Sequence, residues 1–393
     1  MWDVIIVGAG PAGTTTATLL AEKGHQILLL DKAIFPREKP CGEYLSPGCL
    51  RILDRVGALK AVESQARQIL GMLVTSPDGM AFVAEYPGKE YGLAIPRTIL
   101  DHLLLLNAKR YPLQCREGFR VERVLIEGGK VAGVKGRSGK TEEVFKARLI
   151  IGADGRNSIV ARNLGLFRWH PSHRKMAMAV HYEGVEADEG YGEVYVGPSG
   201  YGILNPLGDV TANVNLVVDQ KDFGPAKGRL EAYFGEVLKG LPCLELRLQG
   251  GRLIEKVQAL GPLASHAVRA SWDGALLVGD AAGFYDPFTG EGLYMALRSA
   301  ELAADIAHRA LEADDLSIQC LKRYDALREQ EFRGRLRLDA LLQWVIARPF
   351  LANALAKRLR TRKGLADALM GVVGDLSPPE EVFSFGFLTQ LLL

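Results

Sequence analysis

Val4-Ile5-Ile6-Val7-Gly8-Ala9-Gly10-Pro11-Ala12-Gly13 stands at the head of the chain, and Ile27-Leu28-Leu29-Leu30-Asp31 follows it. Between the two, Thr14 to Lys23 reads as a helix. The order is strand, glycine turn, helix, strand, acid. G-x-G-x-x-G gains its meaning from that context. Gly8 permits the tight turn, Gly10 lets the backbone approach a pyrophosphate, and Gly13 lets helix and strand pack closely. The helix N-terminus then offers free N–H groups and a positive dipole end to a diphosphate. Asp31 closes the second strand, where a carboxylate can accept from a ribose hydroxyl. These residues predict a dinucleotide site and leave NAD and FAD equally open.

Composition narrows the classes. With 393 residues, the chain can support two or three substructures. A net charge of +2 gives no reason to expect nucleic acid as a partner. Five scattered cysteines without a C-x-x-C argue against a disulfide framework and a metal site, so none is expected. The first residues run directly into a strand, which predicts no secretory signal. No long uninterrupted apolar stretch predicts a spanning helix. The expected location is cytoplasmic.

Gly24 should end the first helix. A proline- and glycine-rich segment, 34–48, precedes a predicted helix from Cys49 to about Val62. Short apolar runs over 69–95 read as antiparallel strands, and a helix opens at Pro96-Arg97. A hairpin is expected around Gly128-Gly129, then a buried strand over Ala147 to Ile151. Lys175 to Val185, Gly192 to Val196, Gly202 to Leu207 and Thr211 to Asp219 read as a second sheet inserted in the first domain. Ala275 to Val278 returns as a buried strand before a helix from about Glu291 to Leu311. The domain expectation is therefore 1–68, 93–165 and 262–320 for the nucleotide-binding part. The inserted substrate part takes 69–92 and 166–261, and a helical segment takes 321–393. Residues 321–363 hold twelve Lys/Arg against four Asp/Glu. Leu338, Leu341, Leu342, Val345 and Ile346 form an apolar stripe there, beside Trp344. Two readings stay open for this tail: a helix docked on the domain, or a peripheral contact with an acidic membrane surface.

The opening motif has two companions, Gly152-Ala153-Asp154-Gly155 and Gly279-Asp280 through Asp286-Pro287-Phe288-Thr289-Gly290-Glu291-Gly292. Each follows a buried strand and precedes a helix, so each should sit at a carboxyl strand end, where α/β sheets bind ligands. In this order and spacing the three motifs resemble the flavoproteins of the p-hydroxybenzoate hydroxylase-like fold. Lys39-Pro40-Cys41-Gly42, paired with the 286–292 turn, most resembles the geranylgeranyl reductase family. The resemblance covers the chain to about residue 310.

It implies an α/β fold: a Rossmann-like FAD-binding domain, an inserted and mostly antiparallel β-sheet substrate domain, and a helical C-terminal tail. The implied cofactor is FAD. Its diphosphate would lie on Gly8, Gly10, Pro11, Ala12 and Gly13, with Asp31 and Lys32 toward the adenosine ribose. Arg97, Val121, Asp154, Gly279 and Asp280 would reach it from other segments, Asp280 at the ribityl chain. Pro287, Gly290, Gly292 and Leu293 would face the flavin, where backbone N–H groups can stabilise the charge of the reduced ring. Gly290 and Gly292 lack side chains that would block that ring. Asp154 has a second reading, as a turn that caps the next helix. The implied catalytic residue is Cys41, beside the flavin with Gly42, as proton donor or pocket wall. A small buried hydrophobe is its plain alternative.

The chain departs from the pattern at Glu43-Tyr44, where glycines are usual, so a carboxyl and an aromatic ring are expected at the substrate entrance. A Y-x-W-x-F-P motif is replaced by Tyr201-Gly202-Ile203-Leu204-Asn205-Pro206. The aromatic grip on a polyprenyl chain is reduced there, and Asn205 adds polarity. The leading expectation is an FAD-dependent oxidoreductase that reduces a carbon–carbon double bond of an apolar, isoprenoid-, lipid- or quinone-like substrate. The competing expectation is an FAD monooxygenase or halogenase acting on an aromatic or polyketide-like substrate. A non-enzymatic flavoprotein is the third. With no second glycine fingerprint, the reductant would be NAD(P)H bound transiently or a small electron carrier.

Overall fold

A computed structural model describes residues 1–171, 174–186 and 190–392. Its central sheet follows the order Ser271–Trp272, Ala275–Leu277, Thr141–Gly152, Trp2–Val7, Ile27–Leu30, Leu113–Arg116. From Ala275–Leu277 onward these strands run parallel. Apart from the edge strand Leu113–Arg116, their cores carry unbroken apolar runs and are fully buried, as parallel strands covered on both faces must be. Register matters most. Val7 pairs with Leu30 and Gly152, and Gly152 with Leu277. The four carboxyl ends therefore lie level, and all three glycine motifs leave the sheet at one edge.

Thr141–Gly152 serves two sheets. Its first half pairs antiparallel with Lys130–Ser138, which pairs with Arg120–Glu127, as the hairpin reading expected. The helices Pro11–Glu22, Arg97–Ala108 and Gly292–Glu312 pack together over the central sheet.

The second large sheet follows Arg252–Leu253, Lys175–Glu183, Thr211–Asp219, Gly200–Pro206, Tyr191–Gly197, Gly71–Thr75, Ala81–Glu85. It is antiparallel except where Tyr191–Gly197 meets Gly71–Thr75. The 69–95 strands divide. The 71–85 hairpin joins this sheet, while Gly92–Ala94 pairs with Tyr44–Leu45 on one side and Arg67–Ile69 on the other in a small sheet of their own. The helix expected over Cys49–Val62 is two helices, Pro47–Arg55 and Leu59–Glu63. Gly57 between them takes φ +72°, a left-handed conformation that ends a helix.

The tail forms Arg323–Ile346, Pro349–Thr361 and Lys363–Val373, followed by two short helices. Pro349 sits in the first turn of its helix, where no N–H is needed. Among the described residues, no helix is long and apolar enough to cross a membrane.

Candidate functional site

The level strand ends open into a cavity of about 920 Å³ that runs from the glycine turn to the inserted sheet and the tail. Gly8, Gly10, Pro11, Ala12, Asp31, Lys32 and Val121 line one end. Asp154, Gly279, Asp280, Pro287, Gly290, Gly292 and Leu293 line it too, with Cys41, Gly42, Glu43, Tyr44, Arg97 and Asn205. Gly13, Tyr201 and Pro206 do not.

At the glycine turn the reasons for glycine are steric. Gly8 has φ +104°, and a Cβ there would lie 2.4 Å from the Ala153 carbonyl oxygen. The first and second motifs therefore touch. A Cβ on Gly13 would lie 1.8 Å from the Gly8 carbonyl oxygen, so Gly13 serves packing rather than lining. Around Gly10 the nearest atom to a Cβ is Arg37 Nη2 at 3.6 Å, which leaves the space in front of the helix free. No side chain caps that helix N-terminus. Asp31 fastens the turn: it accepts from Ala9 N–H at 2.7 Å and Ala33 N–H at 2.8 Å.

Asp154 takes its capping role and also lines the cavity. One oxygen accepts from Ile159 N–H at 2.6 Å and caps the helix Ile159–Asn163. The other, Oδ1, is buried without a partner. Burial raises the pKa of this carboxyl above the usual range, against the hydrogen bonds from Ser158 and Ile159. Asp280 lies 3.8 Å from Lys39 Nζ.

The 39–45 segment lies between the two large sheets. The Arg97 guanidinium reaches Cys41, but its two best bonds go to Asp101, both at 2.8 Å. Burial opposes the Arg97 charge; Asp101 and Cys41 outweigh it and keep the side chain protonated. The Gly42 carbonyl accepts from Asn205 Nδ2 at 2.7 Å, while Asn205 Oδ1 has no partner.

Glu43 changes its expected role. It is 4% exposed and takes φ +56°, which explains why glycine suits the position. Oε1 accepts from Arg97 N–H at 2.7 Å. Oε2 meets His181 Nε2 at 2.7 Å and Asn213 Nδ2 at 3.2 Å, and His181 Nδ1 meets Glu255 at 2.8 Å. The carboxylate is a buried bridge to the inserted sheet rather than an open entrance group. His181, Asn213 and Glu255 went unnoticed in the sequence. For His181 and Asn213 the available signal was a polar residue within an otherwise apolar strand; Glu255 stands in a connection and gave none.

Tyr44 also departs from expectation. Its hydroxyl bonds that of Tyr86. Its ring lies 2.9 Å from where a Gly290 Cβ would stand, and Gly290 has φ +72°. The space that bareness at 290 was expected to clear for a cofactor ring is filled by Tyr44. Tyr201, expected against substrate, lies behind the cavity wall, its ring edge-on to Phe288.

Beyond Cys41 the cavity lining is mostly apolar. Val194, Val196, Ile203 and Val217 of the inserted sheet face Val345, Ile346, Leu355, Leu369 and Met370 of the tail. The tail stripe thus divides: Leu342, Val345 and Ile346 line the cavity, whereas Leu341 and Trp344 are exposed. The aromatic grip missing at Ile203 and Asn205 has an aliphatic counterpart on the tail helices. Away from the cavity, His25, His308 and Glu312 bring their possible ligand atoms within 4.8 Å of one another, a group that the cysteine-based reading did not anticipate.

A long cavity, polar at one end and apolar at the other, fits a dinucleotide and an apolar partner. The uncapped helix, the free space at Gly10 and the orphaned Asp154 oxygen all fit FAD, which brings phosphates and hydroxyl donors.

Comparison with known proteins agrees. Residues 1–332 match the model of the FAD binding domain family. The chain is 32% identical to digeranylgeranylglycerophospholipid reductase 2 of Methanopyrus kandleri, across 84% of this chain and 83% of that protein. It is 29% identical to digeranylgeranylglycerophospholipid reductase of Methanosarcina mazei, across 89% and 85%. A solved flavin-dependent brominase superposes with a TM-score of 0.83 at 20% identity, across 95% and 93% of the two chains, which shows a shared fold.

Proposed function

The chain belongs to the FAD binding domain family and, within it, to the geranylgeranyl reductases, and from that premise we propose that it saturates a carbon–carbon double bond of an apolar, isoprenoid-like chain. It is an FAD-dependent oxidoreductase. The aliphatic lobe between the inserted sheet and the tail carries the substrate reading. Its walls offer dispersion contacts and almost no hydrogen bonds, which suits a hydrocarbon.

Gly8, Gly10, Pro11 and Ala12 hold the diphosphate on the uncapped helix, which Gly13 seats against the strand. Asp31 and Lys32 flank the adenosine end, with Val121 beside it. Asp154 Oδ1 and Asp280 accept from cofactor donors. Backbone N–H groups over Pro287, Gly290, Gly292 and Leu293 face the redox end from a helix start. Cys41 closes the junction of the polar and apolar ends with its thiol toward Arg97, and Gly42 leaves room there. Bound FAD supplies hydride transfer. The chain orients the alkene and keeps water from the apolar lobe. The reductant, NAD(P)H or a small electron carrier, meets the cofactor only transiently. Trp344 and Phe350 at the tail elbow, with Arg348, give the enzyme a peripheral foothold on the membrane that holds its substrate.

Anaerobic reduction followed by addition of a digeranylgeranylglyceryl lipid tests this. The expected result is lipid-driven reoxidation under nitrogen, with a pair of hydrogens gained per double bond. An inert lipid, together with hydroxylated or halogenated aromatic product in air, would overturn it in favour of an oxygenase.

A further inference from the structure

Glu43, His181 and Glu255 form a continuous hydrogen-bonded line from the cavity to the surface. Glu43 is buried and lines the cavity. Its Oε2 lies 2.7 Å from His181 Nε2, and His181 Nδ1 lies 2.8 Å from Glu255 Oε1. The side chain of Glu255 is 31% exposed and that of His181 26%, so solvent reaches the far end. The three residues come from the Cys41 segment, the strand Lys175–Glu183 and the connection after Arg252–Leu253. Only the fold brings them into line.

A carboxylate only accepts hydrogen bonds. An imidazole between two carboxylates must therefore donate from both nitrogens, which is its protonated form. The hydrogen bond to Glu43 raises the His181 pKa; burial opposes it, and the charges of Glu43 and Glu255 add to the rise. Arg97 approaches Glu43 through its backbone N–H, and its guanidinium is committed to Asp101. Asn213 donates to Glu43 Oε2 and is the neutral member of the set.

We propose that Glu43, fed by His181 and Glu255, is the group that delivers the proton of the reaction to the cavity. The inference rests on the double-bond reading above. Saturation needs a hydride at one carbon and a proton at the other. The proton passes from His181 Nε2 to the Glu43 carboxylate, and the O–H bond so formed breaks as the new C–H bond forms. Glu43 is then a carboxylate again, and His181 is a neutral imidazole whose Nε2 is bare. A flip of the ring turns the bare nitrogen to the exposed edge, where it takes a proton from water beside Glu255, and the remaining N–H faces Glu43. One proton enters from solvent per double bond reduced, and the electron pair arrives with the hydride.

A merely structural bridge makes a different prediction. Glu43→Gln keeps a hydrogen-bonding group of the same size but carries no proton. Positioned acids contribute roughly 10²- to 10⁴-fold to rate. With FAD content matched by absorbance, reoxidation of dithionite-reduced Glu43→Gln by a digeranylgeranylglyceryl lipid should slow by roughly 10²-fold or more at unchanged KM. Glu43→Asp should recover part of the rate. Glu255→Gln, remote from the cavity lining, should lower kcat roughly 10-fold, recovered by small buffer acids that protonate His181 directly. Independently of turnover, the ring resonances of His181 should report a protonated imidazole at neutral pH that is lost in Glu43→Gln. Wild-type rates in both Gln variants would overturn the relay and leave the double-bond reading standing. A wild-type enzyme inert toward the lipid would overturn that reading and the relay with it.

Discussion

The Tyr201 hydroxyl donates to Asp286 Oδ1 at 2.5 Å, behind the turn that enters the helix Gly292–Glu312. Gln343 Nε2 donates to the same oxygen at 2.6 Å, and Lys175 Nζ lies 3.2 Å from the other. A buried carboxylate so held fixes the backbone that follows it. Tyr201→Phe removes one donor from Asp286, and an under-satisfied buried group costs about 1–3 kcal/mol. Urea denaturation should show a loss of that size. FAD affinity should fall with it, because the turn loosens.

Contact between the first two motifs predicts the outcome of Gly8→Ala. The added methyl meets the Ala153 carbonyl, and positive φ adds strain on the order of 1–3 kcal/mol. The variant should purify colourless or lose FAD on dialysis, as measured by visible absorbance. Gly24→Ala provides the contrast. It has positive φ but nothing within 4 Å of its Cβ, so it should lose some stability and retain FAD.

His181 gives stability a pH dependence. Its folded pKa is raised, chiefly by the hydrogen bond to Glu43, so the native state holds the proton more tightly than the unfolded chain. The contribution is complete below about 6.5, the unfolded value. It is lost as pH rises through the folded value. In His181→Gln this part of the dependence should vanish, so wild type and variant should differ most in chemical denaturation at acid pH and converge at alkaline pH.

The apolar lobe should set which chain lengths are accepted. Ile346→Trp places an indole between the tail and the inserted sheet. Turnover of a long isoprenoid should fall roughly 10-fold or more, since a methylene's worth of misfit already costs that much. FAD content should not change, because Ile346 lies in the apolar lobe. Loss of FAD in this variant would remove the separation of the two ends.

Trp344 is 51% exposed and Phe350 81%, and Arg348 stacks 4.2 Å over the Trp344 ring. Aromatic and basic groups together suit a membrane interface. Flotation with anionic vesicles should be strong at low salt and weak at high salt, and Trp344→Ser with Phe350→Ser should abolish it. Equal flotation of this double variant would assign the contact elsewhere.

Much of the cofactor end was legible because its chemistry is local. Gly8 and Asp31 follow directly on buried strands, Asp154 and Asp280 follow closely, and the register of the parallel sheet brings those strand ends level. The substrate end was not legible in the same way. Glu43 read as a departure from a family pattern, but its side-chain partners His181 and Asn213 lie more than a hundred residues away. Tyr201 lost its expected place because a strand residue can face either side of a sheet. Arg335, Asp339 and Gln343, one buried face of a helix in the basic tail, passed as part of a charge run.

FAD came from the family resemblance; the sequence by itself determined the central sheet and the three glycine motifs at its strand ends. Those features depend on short-range sterics: positive φ, close backbone approach and hydrophobic runs of strand length. Tertiary structure alone decided that Glu43 meets His181 and that Tyr44 fills the space over Gly290. It also turned the inner face of a basic tail into one wall of the cavity. Those arrangements depend on the register between sheets and on which helix face is buried, and both are set by packing across the whole chain.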